Sequence, residues 1–226
     1  CTMQGRTNLR QAAVWSKWES LRVDPPNSEV GTTGRGINAY GRIVGGIEQN
    51  GDRFAAYVFM EGQYLDLGTL PGHDESEALA INDHDAVVGT SRMHGGPTRG
   101  FLWRNSEMID LGTLPGGTNA VPRRVNLANQ VVGTANNLYR ERPFLWQDGH
   151  MTDLGTRNGS SSSAGAAYGI NEAGMIVGVS QLNSSYDHAT LWFQGLITDL
   201  GALSSGDSEA FAINNQSIIV GSSRTA

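Results

Sequence analysis

The feature that most constrains this chain is a period. Five segments of the form (Ile/Val)-Asn-x-x-x-x-(Ile/Val)-Val-Gly begin at Ile37, Ile81, Val125, Ile170 and Ile213, spaced by 44, 44, 45 and 43 residues. An aromatic residue ending a short apolar run keeps the same step at Trp15, Phe59, Trp103, Trp146 and Trp192. Asp66, Asp110, Asp153 and Asp199 follow the last four aromatics by seven residues, each opening an Asp-Leu-Gly triplet, while the first unit has Arg22 there. Self-similarity at such a step marks an array of supersecondary units that bury their faces against one another.

Within a unit, four short apolar stretches alternate with turn signals, as at Glu77 to Asn82, Ala86 to Thr90, Gly100 to Trp103 and Glu107 to Leu111. This predicts four strands per unit. Gly41, Asp85, Asn129, Gly174 and Ser217 end Asn-x-x-x turns, mostly as residues that tolerate a left-handed backbone, and Glu61-Gly62, Asp148-Gly149 and Gln194-Gly195 suit two-residue hairpins. No stretch keeps a 3.6-residue apolar period. The chain starts with the third and fourth strands of a unit, around Ala12 to Val23, and ends with the first and second of another, Phe211 to Ser223. Complementary half-units suit a ring better than an open stack, because joining them removes two sheet edges. The expectation is therefore an all-β, single-domain fold over residues 1–226. It is a five-bladed β-propeller of four-stranded antiparallel blades, closed by pairing of the N-terminal with the C-terminal strands, and a monomer.

Composition narrows the functions open to such a fold. Sixteen basic against 22 acidic side chains give a net charge of −6, and Lys17 is the one lysine. A broad nucleic-acid footprint is not expected. No apolar run approaches the roughly 18 residues a membrane-spanning helix needs. The single cysteine, Cys1, excludes an internal disulfide and a finger-type thiolate zinc site, and is a candidate for lipid attachment.

The repeats resemble the bacterial HAF family of extracellular repeats, whose units read roughly Ile-Asn-x-x-Gly-x-Val-Val-Gly, His-Ala-Phe-Leu-Trp and Asp-Leu-Gly-Thr-Leu. The resemblance spans nearly the whole chain. Its clearest copies are Ile170 to Gly178, His188-Ala189-Thr190-Leu191-Trp192, and Asp110-Leu111-Gly112-Thr113-Leu114. The His-Ala step survives only at His188; the counterparts are Arg99-Gly100 and Arg142-Pro143. The resemblance implies repetition and an extracellular or cell-envelope location, and it implies no reaction.

In four-stranded units the tight turns share one rim and the longer links share the other, around the mouth of a central channel, so a site is expected at the link rim. Two rows on the innermost strands are chemically uneven while the scaffold repeats. One is Arg35, Leu79, Arg123, Tyr168 and Phe211; the other is Thr33, Glu77, Val121, Ala166 and Glu209. Strand alternation decides which row meets the channel, and that phase is not written in sequence. Arg35, Arg123 and Tyr168, with Arg99 and Arg142 before the aromatic strand, are the candidate ligand contacts for a small molecule, glycan or protein segment. The alternative is a hydrolase of glycoside, ester, lactone or phosphoester bonds. It would use His73, Glu77, His94, His188 and Glu209, with His73, His94 and His188 as ligands if a divalent metal ion takes part; no cofactor is otherwise implied. The conserved placement of the tryptophans suits packing between blades, and Ser160 to Ser163 reads as a flexible link.

Overall fold

In the computed structural model, residues 10–16, 19–23, 30–49, 53–182 and 186–225 are described; they form twenty strands and no helix. Cys1 lies outside them. Four antiparallel sheets are complete blades, each ordered as a meander from an innermost to an outermost strand. Blade one holds β3 Thr32–Ile37, β4 Ile43–Glu48, β5 Phe54–Met60 and β6 Gln63–Gly68. Blade two holds β7 Glu75–Ile81, β8 Val87–Arg92, β9 Thr98–Arg104 and β10 Glu107–Asp110. Blade three holds β11 Ala120–Val125, β12 Val131–Asn136, β13 Glu141–Gln147 and β14 His150–Asp153. Blade four holds β15 Gly165–Ile170, β16 Ile176–Gln181, β17 Asp187–Phe193 and β18 Leu196–Gly201.

The half-units form separate two-stranded sheets: β1 Ala12–Ser16 with β2 Glu19–Val23, and β19 Ser208–Ile213 with β20 Ile219–Ser223. The expected pairing of N-terminal with C-terminal strands is not made among the described residues. Each half-sheet is held by its own end of the arc instead. Ala12 and Val23 pack on Ile43 of blade one, and Ala210 packs on Val177 and Ala189 of blade four.

The turns form as their residues dictate. Gly41, Asp85, Asn129, Gly174 and Ser217 all have positive φ, as do both residues of Glu61-Gly62, Asp148-Gly149 and Gln194-Gly195. Asn105-Ser106 makes the fourth such hairpin without glycine, at φ 51° and 62°. Asparagine tolerates this region well; serine there is held by the flanking strands.

The core lies between blades. Val44, Val58 and Leu67 meet Ala78, Val87 and Phe101; Val88 and Leu102 meet Val131, Phe144 and Trp146; Val132 meets Ala167, Ile176 and Trp192. Trp146 and Trp192 are buried, as a packing role requires, whereas Trp15 is 75% exposed. A polar ladder runs along the same interfaces. The side-chain Nδ2 of Asn38 donates to the Asn82 carbonyl, Asn82 to Asn126, Asn126 to Asn171 and Asn171 to Asn214. Each asparagine Oδ1 also accepts amide hydrogens of its own turn, as from Ala86 and Gln130. One residue type therefore closes the turn and sets the position of the next blade.

Candidate functional site

Adjacent blades touch through their innermost strands, β3, β7, β11, β15 and β19, which therefore form the inner wall of the arc. Each of them carries one register shift, between Gly34 and Gly36, Ala78 and Ala80, Pro122 and Arg124, Ala167 and Gly169, and Ala210 and Ala212. The extra residue is Arg35, Leu79, Arg123, Tyr168 or Phe211. A bulge leaves its residue out of the ladder and re-aims the side chain, so strict alternation does not hold along these strands.

Four of the five bulge residues make contacts across blades. Arg35 Nε donates to Glu77 Oε1 at 2.8 Å, and Thr33 Oγ1 donates to the same oxygen at 3.2 Å. The Arg123 guanidinium sits 5.6 Å from the Tyr168 ring centroid, and that ring lies 6.1 Å from Phe211. Burial pushes the Tyr168 phenol up; Glu209, Glu141 and Asp187 push the same way while Arg123 opposes them. The two uneven rows thus make two contact groups along the inner wall, one at blades one and two and one from blade three to β19. The wall's link-rim end opens into small cavities between blades. A cavity of about 100 Å³ is lined by Phe54, Glu75, Glu77, Thr90, Arg92 and Thr98, and one of about 130 Å³ includes Glu141, Tyr168 and Asp187.

Glu75, which the sequence sets in the run His73-Asp74-Glu75 and groups with His94 as hard and imidazole groups at the link rim, is buried in its hairpin. It is 3% exposed, its Oε2 accepts from Arg92 Nε at 2.6 Å, and its Oε1 lies 2.8 Å from His94 Nδ1. Burial raises its carboxyl, but the hydrogen bonds to His94 and Arg92 outweigh this and leave it below the ordinary carboxylate range. It also lies two residues before Glu77, on the same strand face. Asp187 goes the other way: burial and the neighbouring Asp207 raise it, with His188 opposing.

The structure does not assemble the three histidines. His73 Nδ1 meets Ser91 Oγ at 3.1 Å, His94 meets Glu75, and His188 Nδ1 lies 3.0 Å from Asp199 Oδ1. Among the described residues no three His, Cys, Asp or Glu side chains converge as metal ligands. Glu77 and Glu209 stand on β7 and β19, separated around the wall by β11 and β15.

Arg99 and Arg142 are already engaged. Arg99 Nη2 contacts both oxygens of Asp110 at 2.9 and 3.1 Å. Arg142, only 4% exposed, bonds Asp153 at 2.8 Å and the carbonyls of Ser163 and Ser160 at 2.7 and 3.0 Å. The repeated aspartate also accepts the backbone N–H of the positive-φ glycine two residues on, at Gly68, Gly112, Gly155 and Gly201. These arginines, like His188 on Asp199, fasten the end of the outer strand to its blade. Arg142 also pins the Ser160 to Ser163 link, which was expected to be loose.

No protein-family model and no curated protein matches the chain. Solved structures do. The acylaminoacyl peptidase of Pyrococcus horikoshii is similar at 12% identity and TM-score 0.56, over 81% of this chain and 28% of that one. The β-propeller domain of the Trilobed protease from Pyrococcus furiosus, described as having an open velcro topology, is similar at 11% identity and TM-score 0.54, over 81% of this chain and 54% of that one. A gluconolactonase from Xanthomonas campestris is similar at 12% identity and TM-score 0.42, over 94% and 76%. The chain spans about a quarter and a half of the lengths of the first two. At these identities the likeness establishes the fold: blades arranged as in a β-propeller.

Proposed function

We infer that this chain is a binding module whose ligand lies against the inner wall at the link rim, contacting Arg35, Arg123 and Tyr168, with Glu77 and Glu209 at its edges. One observation carries this reading: a bulge at the same place in every innermost strand holds a different side chain, on a scaffold that otherwise repeats. Such strand irregularities re-aim side chains at functional positions. Identical walls would suit a structural array, whereas Arg, Leu, Arg, Tyr and Phe in succession suit one asymmetric ligand. The chain supplies five blades of sheet, the fifth divided between its two ends. The resemblance to HAF repeats supports an extracellular or envelope location in a bacterium, which fractionation of expressing cells would test.

The test is calorimetry against a panel of sugars, organic acids and peptides. Arg123→Gln and Tyr168→Ala should each lower affinity tenfold or more with unchanged folding. Arg99→Gln should leave affinity intact. Equal affinity in the wall variants and the parent protein would overturn the reading.

A hydrolase reading rests on the cavity beside Phe54, where Glu75 and Glu77 present two carboxylates close to Arg92. It requires turnover of a glycoside or ester that survives a chelator and is lost in Glu77→Gln. The lactone and phosphoester members of the same panel, if cleaved only with a divalent ion, would point to a metal-assisted route instead.

A further inference from the structure

We propose that the cavity between blades three and four, at the tight-turn rim, is a second binding site that takes a small, uncharged ring compound. It lies on the rim opposite to the inner-wall site and is independent of it. The cavity has a volume of about 330 Å³, with Leu145, Leu154, Ile176, Trp192 and Leu196 as its apolar lining. Gly174 and Gly195, positive-φ residues of two hairpin turns, also border it and fix its place on that rim. The volume falls at the lower end of the roughly 300–1,000 Å³ of small-molecule sites, which are mostly apolar with a few placed polar groups.

The repeat supplies the comparison that singles this space out. At the two preceding interfaces the counterparts of Leu145 and Leu154 are closed in: Val58 and Leu67 are 3% and 7% exposed, Leu102 and Leu111 0% and 2%. Leu145 and Leu154 are only half-buried, although blades three and four are complete sheets in direct contact. Two positions of the repeat change with it. Met108 and Met151 pair with Trp103 and Trp146 and pack into the first two interfaces, whereas Ile197 takes that place beside Trp192. A branched side chain reaches less far than a flexible thioether that fills gaps. Gln130 stands where Ala86, 1% exposed, closes the turn between blades two and three. Its amide is fixed, Oε1 accepting from Asn126 Nδ2 at 2.7 Å and Nε2 donating to Gln147 Oε1 at 2.8 Å. Among the described residues nothing takes the second Nε2 hydrogen, which leaves one donor for a ligand hydroxyl or carbonyl.

The lining sets the chemistry of the occupant. Among the described residues no Asp, Glu, Lys, Arg or His borders this cavity, whereas Glu75, Glu77 and Arg92 border the one beside Phe54, and Glu141 and Asp187 the one beside Tyr168. A charged ligand would give up its hydration here and meet no countercharge. Trp192 Nε1 already donates to the Gly155 carbonyl, so the indole offers the cavity apolar surface alone. Outside it, Gln147, Asp148 and Glu172 are exposed polar side chains. The apolar surface therefore ends at the cavity and gives no broad face of the size a stable protein partner needs. A single ring carrying one hydroxyl satisfies each of these conditions.

Titration of the protein, labelled at its leucine and isoleucine methyl groups, with phenol, toluene and benzoate tests this by nuclear magnetic resonance. Phenol should shift the methyl signals of Leu145, Leu154, Ile176 and Leu196 in a saturable way and leave those of Leu102 and Leu111 in place. It should bind at least tenfold more tightly than benzoate, with toluene between them. Leu196→Gln, at a side chain that is 70% exposed, should weaken phenol fivefold or more with an unchanged thermal melt. Leu154→Trp should fill the cavity and abolish the shifts; if that variant does not fold, Leu196→Gln decides. Saturable shifts confined to other methyl groups, benzoate binding as tightly as phenol, or an unchanged phenol affinity in the folded variants would overturn the proposal. So would shifts that rise linearly with phenol and never saturate.

Discussion

Blade three and the β19–β20 sheet begin with the same sequence pattern and end in different environments. In blade three, Val131 and Val132 lie under neighbours on both sides, whereas Ile218, Val220 and Phe211 are largely exposed. Local sequence decides that both become strand-turn-strand units. The next blade decides whether their apolar faces become core. Burial in this molecule is a property of adjacency, so the same substitution should have very different consequences in the two places.

The largest contrast is expected at the aromatic anchors. Trp192→Ala removes a ring packed against Val132, Ala167 and Ile176 and the hydrogen bond from its Nε1 to the Gly155 carbonyl, and should cost about 3–5 kcal/mol. Trp15→Ala should cost less than about 0.5 kcal/mol in dilute solution, where the ring is exposed. Urea denaturation measures both. Equal losses would break the comparison by showing that Trp15 is covered in the isolated chain.

The asparagine ladder gives a smaller version. Asn126 Oδ1 accepts the Gln130 N–H and its Nδ2 donates to the Asn171 carbonyl, both in a buried interface, so Asn126→Ala should cost about 1–3 kcal/mol. Asn214→Ala leaves only its own exposed turn unsatisfied, and water can replace those bonds. Its midpoint in the same titration should move by less than half as much.

The subtlest test compares two rim carboxylates by pH. Glu75 is held below its ordinary range, so its contribution is fully present above the unfolded value of about 4.3 and is lost as pH falls through the lower folded value. Glu75→Gln should flatten the acid limb of the stability curve. Asp187 is raised, so it favours the folded state only where it is protonated, and that contribution fades as pH rises above its unfolded value of about 3.9. Asp187→Asn should therefore stabilise slightly at neutral pH. Thermal melts from pH 3 to 7 show both; slopes of the same sign in the two variants would contradict the assignment.

The blades were readable because their determinants are local: a positive-φ residue after Asn-x-x, an alternating apolar run, an aspartate caught by the amide of the next glycine. The inner wall was readable as a set of uneven positions but not as a surface. Its orientation depends on a bulge, and Pro122-Arg123-Arg124 or Ala167-Tyr168-Gly169 carries no local mark that a residue will be left out of the ladder. Glu75 was legible as one of a rim group with His73, Asp74 and His94, but not as a buried, hydrogen-bonded carboxylate. Its partners Arg92 and His94 come from the far end of the neighbouring strand and the link beyond it, so only the folded hairpin joins them. Arg99 and Arg142 look like free cations in sequence because their aspartates lie eleven residues away across a hairpin.

The asparagine ladder gives the arc a sense of direction. Every side-chain amide in it points the same way, from lower to higher residue numbers, so each blade gives its donor to the next blade and its acceptor to the one before. The side-chain amides thus act as a one-way key, in which the polarity of the chain becomes a rule about which blade can follow which.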